Sequence, residues 1–349
     1  MKRIFALAAL CAAGSSAASD VTFYGVMDVG ISQDRGGING VSTRVTSGMA
    51  TQSRWGFKGS EDLGDGMSAF FAVEGGIHAD TGIPTQNGTL FGRTSIAGLR
   101  GRLGAVSVGL QDTPLFTTLN TVIDPLRNGV GRSNNLMPPA GFRAGNSILF
   151  RSADWHGFSA DAMVVAGEAA GNSEIGRQFG GSAGYSNGRF NVRLALHNRS
   201  NVTATAPDAP AARNWLLGAN YDLQAVKLYG GLGVNRGPNS SPLNSAGAPF
   251  GGVAPVASSA SNDALLGISV PRGSWTYIAT VVHKDDRTRL NQDALQTALY
   301  AAYAFSKRTD VYAAHVLIHN RHGAGYTAGN SEEPGTGNRQ VAVGLRHRF

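Results

Sequence analysis

Cysteine is almost absent from this chain. Cys11 is the only one, and it sits inside a stretch that reads as a removable leader. An exported protein that forgoes disulfides must be stabilised by other means. Charge is scarce as well: Asp, Glu, Lys and Arg make up 15% of the residues, well below the usual quarter, which argues against a disordered chain. Long apolar runs are missing too. Beyond the leader nothing approaches about 18 consecutive apolar residues, so membrane-spanning helices are excluded. Glycine is abundant instead, at 48 of 349 residues, but it shows no triplet period, which excludes collagen. A transmembrane β-barrel fits all of these features. Its strands show lipid on one face and water on the other, so their hydrophobicity is diluted by half.

The leader is expected over residues 1–17. Lys2 and Arg3 give a positive start, residues 4–13 form a short, mostly apolar run, and Ser15-Ser16-Ala17 supplies small residues for cleavage. This is the pattern of a secretory signal peptide, too short for a membrane helix. Cleavage after Ala18 suits the pattern nearly as well. Lipidation of Cys11 is disfavoured, because the bulky Leu10 precedes it. The barrel is then expected over residues 18–349.

Period-2 alternation carries the fold. In 189–197 every second residue is apolar (Phe190, Val192, Leu194, Leu196) and the rest are mostly polar or charged. In 340–349, Val341, Val343, Leu345 and Phe349 oppose Gln340, Arg346 and Arg348. In 52–58, Trp55 and Phe57 oppose Arg54 and Lys58. Thirteen weaker stretches bring the expected count to sixteen strands. The connections alternate short and long: seven short turns against eight longer segments, near 32–50, 76–90, 112–146, 168–178, 198–212, 235–261, 285–294 and 321–338. That pattern predicts an all-β, sixteen-stranded antiparallel transmembrane barrel. Both termini then lie on the short-turn side, which in outer-membrane barrels is the periplasm.

The third long segment, residues 112–146, stands apart. It has no sustained period of 2 or 3.6, and it contains Pro114, Pro125, Pro138 and Pro139. Arg127, Arg132 and Arg143 are set against the single acid Asp124, with Asp112 at the base. A structureless connection this long is either functional or disordered.

Other constellations give less. His315, His319 and His322 have ligand spacing only on a helix; on a strand the first two are about 13 Å apart, and no acid accompanies them to orient the rings, so no metal site is expected. No glycine-rich phosphate loop follows a strand and opens a helix, and no cofactor is expected. The formal charge of +7 includes Lys2 and Arg3, and an exported barrel does not suit nucleic-acid binding. Tyr24, Trp215, Tyr221, Trp275, Tyr277, Tyr303, Phe305, Tyr312 and Phe349 lie near strand ends, where interfacial girdle residues are expected.

Six stretches carry a further signal: Val21-Thr22-Phe23-Tyr24-Gly25, Ser53-Arg54-Trp55-Gly56-Phe57-Lys58-Gly59-Ser60-Glu61-Asp62-Leu63-Gly64, Phe91-Gly92-Arg93, Asn146-Ser147-Ile148, Ser306-Lys307-Arg308-Thr309-Asp310 and the terminal Val343-Gly344-Leu345-Arg346-His347-Arg348-Phe349. In them the chain resembles the general trimeric porins of Gram-negative bacteria, the sixteen-stranded β-proteobacterial type in particular. The resemblance implies an outer-membrane homotrimer that passes small hydrophilic solutes by passive diffusion, surrounded by lipid and lipopolysaccharide. It also implies that residues 112–146 fold inward as the constriction, facing a basic ladder of Arg54, Arg93 and Arg151. Parity agrees for Arg54 and Arg151, which are out of phase with the neighbouring aromatics; Arg93 rests on the resemblance. Many family members place several carboxylates in that loop, and this chain departs from them.

A diffusion channel is therefore expected, with an anion preference set by Arg54, Arg93, Arg151 and nearby Lys58 on the wall and by Arg127, Arg132 and Arg143 against Asp124 in the loop. Inward acids such as Asp28, Glu74 and Asp161 are expected away from the constriction. Two other classes compete. A barrel hydrolase needs a nucleophile–base pair that cannot be assigned here. A plugged structural or adhesive barrel needs bulky inward residues, whereas many inward positions are Gly, Ala, Ser or Asn and leave room for water.

Overall fold

The computed structural model describes residues 20–38, 40–127, 129–137, 142–241, 257–330 and 335–349. The leader expected at 1–17, and Pro138 and Pro139, lie outside them. The strand segments in chain order are β1 Asp20–Gly37, β2 Gly40–Ser47, β3 Arg54–Gly64, β4 Met67–Gly76, β5 Thr94–Gly101, β6 Gly104–Asp112, β7 Arg143–Ser152, β8 Phe158–Val165 and β9 Gln178–Ser186. They continue as β10 Phe190–Arg199, β11 Ala212–Asp222, β12 Lys227–Arg236, β13 Ala260–Arg272, β14 Trp275–Asp286, β15 Ala294–Ala304, β16 Thr309–Asn320 and β17 Arg339–Arg348.

Each segment pairs antiparallel with its neighbours, and the ring closes where β17 returns to β1, from Val26 opposite Arg348 to Arg35 opposite Arg339. Gly25 and Phe349 exchange reciprocal backbone hydrogen bonds of 3.1 Å at the seam. β2 and β3 share one position, because Ser47 lies opposite Val29 of β1 and Arg54 opposite Val26. The 17 segments thus fill sixteen positions of a closed barrel, which leaves no strand edge unpaired. No described helix is long and apolar enough to cross a membrane; the strands do the crossing.

Alternation sets the two faces. Trp215 and Leu217 of β11 are exposed while Leu216 between them is buried, and Leu194 and Leu196 of β10 flank the buried Ala195 in the same way. The exposed set forms a continuous apolar belt that only lipid can cover without penalty. Trp275, Tyr277, Tyr303 and Phe305 stand on this outer face beside the short turns and contact one another edge-on or stacked, with ring centroids 5.1–5.8 Å apart. Two expected girdle residues do not. Tyr312 is buried, stacks on Tyr300 at 5.7 Å and donates a hydrogen bond to Asp28. Tyr24 shares the face of Arg54 and Glu74.

The first connection is not the long segment expected at 32–50. β1 runs on to Gly37 and β2 begins at Gly40. Small residues hide the alternation here, but Ser32 meets Thr46 at 2.8 Å and Asp34 pairs with Arg44 at 2.8 Å on one face, while Val41 and Val45 are exposed on the other. Between β2 and β3 the chain leaves the ladder over residues 48–53. Asp28 holds this detour, accepting from the backbone N–H groups of Ala50 (3.0 Å) and Thr51 (2.8 Å).

The 112–146 segment contains more order than its sequence period suggested. Thr113 caps a helical turn over Pro114–Thr118, accepting from the Phe116 N–H at 3.2 Å, and a π turn follows over Leu119–Ile123. Leu115, Leu119, Val122 and Ile123 are all buried. Their spacing of four, three and one is a helical stripe. This stripe packs on the wall face opposite the lipid belt. A Cβ at Gly218 would lie 2.2 Å from Ile123 Cγ1, and one at Gly231 would lie 2.4 Å from Ile123 Cγ2. Neighbouring strands β11 and β12 thus form a notch that the Ile123 side chain fills. At Gly218 and Gly231 the small inward residues make room for the loop.

Candidate functional site

The segment is tied to the wall by polar groups as well as by the notch. Asn220 donates to the Val122 carbonyl at 2.9 Å, and Gln296 donates to the carbonyls of Gly131 (2.7 Å) and Arg132 (3.1 Å). The Val130 N–H donates to the Met49 carbonyl at 2.5 Å, so the 48–53 detour supports the far end of the loop. Lys284 of β14 is fully buried; its ammonium donates to the Leu136 carbonyl (3.0 Å), to Ser261 (3.0 Å) and to Asp263 of β13 (3.2 Å). Its three donors are thereby satisfied. Asp263 also accepts from Asn235 at 2.6 Å.

That buried pair gives a stability prediction. Lys284→Met leaves the Asp263 carboxylate buried with no cation, a change that costs about 3–5 kcal/mol. Urea titration of the folded barrel, read by its shift on unheated gels, should show the loss. The double variant with Asp263→Leu should recover most of it. Equal stability of the single variant and the wild type would sink the idea.

Asp124, expected as the constriction acid, is buried within the loop. It accepts from the N–H groups of Leu126 (2.9 Å) and Ser133 (2.7 Å) and so staples the loop to itself. Burial pushes its carboxyl up to about 6. A carboxyl raised above its ordinary range weakens the native loop when ionised. The loop therefore gains stability as pH falls through about 6 toward the ordinary carboxylate value. Open-channel current noise from loop excursions should be lower at pH 5 than at pH 7.5, and Asp124→Asn should flatten that dependence. Noise that rises on acidification would contradict the assignment.

The loop arginines divide. Arg127 is exposed, adopts a left-handed backbone (φ 53°) and makes no ion pair among the described residues. Arg132 donates to Asn135 at 3.2 Å, and burial lowers its guanidinium to about 10, still protonated at neutral pH. Arg143 pairs with Asp112 at 2.9 Å and lies 5.6 Å over the Phe116 ring, closing the base of the loop.

On the wall, Arg54 and Arg93 converge on one carboxylate. Arg93 Nε lies 2.6 Å from Glu74 Oε1 and Arg54 Nε lies 3.3 Å from Glu74 Oε2. Arg151 shares the inward face through its register with Ala105 and Asp161, keeps 51% of its side chain exposed and stands 4.0 Å from Asp161. Arg193 of β10 binds the same carboxylate at 2.8 Å. Lys58 is exposed, 5.4 Å over the Tyr24 ring and in phase with Arg54. Glu74 and Asp161 are therefore not remote from the arginines, as expected from sequence; they sit between them. Sequence reading also missed Arg193 and the pairing of Asp310 with Arg346 and Arg348, both at 3.0 Å. Alternation placed those arginines on one face, but register across separate strands decides which acid meets them.

Comparison with known proteins bears on this geometry. A Gram-negative porin family model matches residues 6–323. The chain is 31% identical to outer membrane porin protein 32 of Delftia acidovorans, over 100% of this chain and 99% of that protein. It is 29% identical to an outer membrane porin protein of Bordetella pertussis, over the full length of both. Among solved structures, the anion-selective porin from Comamonas acidovorans superposes with a TM-score of 0.76 at 25% identity, covering 95% of this chain and 100% of that one.

Proposed function

The chain belongs to the Gram-negative porin family, and on that premise we propose that its channel passes small hydrophilic solutes with a preference for anions. It is an outer-membrane β-barrel porin, a channel and not an enzyme. In the proposed reading, residues 112–146 narrow the lumen, and the passage runs between the exposed edge of this loop and the wall carrying Arg54, Arg93 and Arg151.

The observation that carries the anion preference is the asymmetry of ion pairing. The wall holds four inward arginines, Arg54, Arg93, Arg151 and Arg193, on two carboxylates, Glu74 and Asp161. The loop hides its one acid, Asp124, and exposes Arg127. Guanidiniums stay protonated across the physiological range, and low-dielectric walls concentrate their field. The anion selectivity named for the Comamonas acidovorans porin agrees with this reading. Reversal potentials in a tenfold KCl gradient test it: chloride should carry most of the current, and a cation-preferring wild type would overturn the proposal.

The same reading includes a homotrimer with periplasmic termini, and outer-membrane lipid and lipopolysaccharide against the apolar belt. A monomeric mass in mild detergent by light scattering would remove the trimer from it.

A further inference from the structure

A cleft of about 400 Å³ opens between loop residues 125–127 and 129–130 and the wall formed by β1, β3 and β14–β17. Ser274 and Ala304 in its lining border short turns, which places it on the short-turn side of the loop. Its volume lies within the range of small-molecule sites, about 300–1,000 Å³.

The lining of the cleft is rich in guanidiniums. Arg127 comes from the loop, Arg54 from β3, and Arg346 and Arg348 from β17. Asp310 is the one carboxylate among the described lining residues, and it is already engaged. It accepts from Arg346 Nε (3.2 Å) and Nη2 (3.0 Å) and from Arg348 Nη1 (3.0 Å). Glu74, shared by Arg54 and Arg93, lies outside the lining, and Asp28 is the register partner of Arg346, so the described lining itself sets four guanidiniums against one carboxylate. Asp310 also fixes the β17 guanidiniums in place, leaving their other N–H groups for a ligand. Between these groups the lining is apolar at Leu126, Val130 and Ile278, and the Tyr300 ring lies beside Arg346.

This mixed lining selects a chemistry. Chloride is served by charge alone and gains nothing from an apolar wall. A carboxylate on a compact ring uses both kinds of group: planar guanidiniums grip carboxylates two-pronged, and the ring displaces water from Ile278, Leu126 and Tyr300. We propose that this cleft is a holding site for small ring-bearing monocarboxylates of the benzoate type, occupied as they cross the channel. The proposal rests on the anion-conducting reading above and adds a solute class to it.

The test uses the full-length porin in planar bilayers with KCl on both sides and sodium benzoate or sodium acetate added. Benzoate should reduce the chloride current at a concentration about tenfold below that needed for acetate, because the buried ring adds apolar contact. Arg127→Gln should raise the benzoate concentration required. Ile278→Ser, on a different element, should bring the benzoate-to-acetate ratio close to one. Equal block by the two acids in the wild type, or an unchanged ratio in Ile278→Ser, would overturn the proposal. The reversal potential in the same bilayers separates the two readings. An anion-preferring wild type with equal block removes only the cleft, whereas a cation-preferring wild type removes both.

Discussion

Deleting residues 119–137 should raise single-channel conductance severalfold. A sixteen-position barrel is wide enough to hold an aqueous channel, and in the proposed reading this segment occupies much of it. Leu119, Val122, Ile123, Leu126, Val130, Leu136 and Met137 are all buried, and their partners are wall residues on the face opposite the lipid belt. The deletion removes that apolar mass and keeps the strand ladder, whose hydrogen bonds do not involve the loop. It also strips Lys284 of the Leu136 carbonyl, so some loss of thermal stability should accompany the gain in conductance. A smaller intrusion tests the same point without deletion. Gly231→Leu places side-chain atoms where Ile123 sits, and Ile123 already fills the space over Gly218, reaching to 2.2 Å from where a Cβ there would stand. Residues 122–124 must then lift off the wall, and conductance should change in step with the disorder introduced. A deletion variant that still shifts on heating in a gel, yet conducts as the wild type does, would end the constriction reading.

The barrel was legible in the sequence because one period is enforced wherever lipid meets one face and water the other. β10 and β17 show it openly, with Leu194 and Val343 exposed between inward residues. The signal fades where the outward residues are few and small, and β2 was lost that way among Gly, Ser and Thr. The helical stripe in the loop was overlooked for a related reason. Five apolar residues over nine positions, 115–123, give too short a window for a period of 3.6 to stand out. The sequence does carry one usable mark: Thr113 followed by Pro114 is a helix start. The site was half legible. Parity placed Arg54 and Arg151 inward, and their registers agree. It could not show that Glu74 bridges Arg54 and Arg93, since that contact joins a strand start, a strand interior and a connection whose relative heights no local pattern encodes. Asp124 was misplaced for the opposite reason. A lone acid in a basic loop suggests a counter-charge at the passage, yet two backbone N–H groups, of Leu126 and Ser133, needed an acceptor inside the turn.

Arg151→Glu should produce the largest change in ion preference of any single wall substitution. Arg93 is buried against Glu74, and reversing it would set two carboxylates together beside Arg54, so its effect on selectivity would be mixed with strain in the wall. Arg151 is different: half of its side chain is exposed, and it stands 4.0 Å from Asp161, whose other oxygen already binds Arg193 at 2.8 Å. Two unit charges about 4 Å apart at an effective dielectric of about 20 interact by about 4 kcal/mol. Exposure and salt reduce this to about 1 kcal/mol at a site this open. Charge reversal removes one attraction for a passing anion and adds one repulsion, so the anion-to-cation permeability ratio should fall by about tenfold or more, enough to weaken or invert the preference. Glu74→Gln should move the ratio the other way by freeing Arg54 and Arg93 from their shared acid. Arg189→Glu changes the net charge as much as Arg151→Glu does, but Arg189 is exposed in the short turn before β10, and its effect should be small. If Arg189→Glu and Arg151→Glu shift the reversal potential equally, selectivity is set by the protein's overall charge and the arginine wall is not its source.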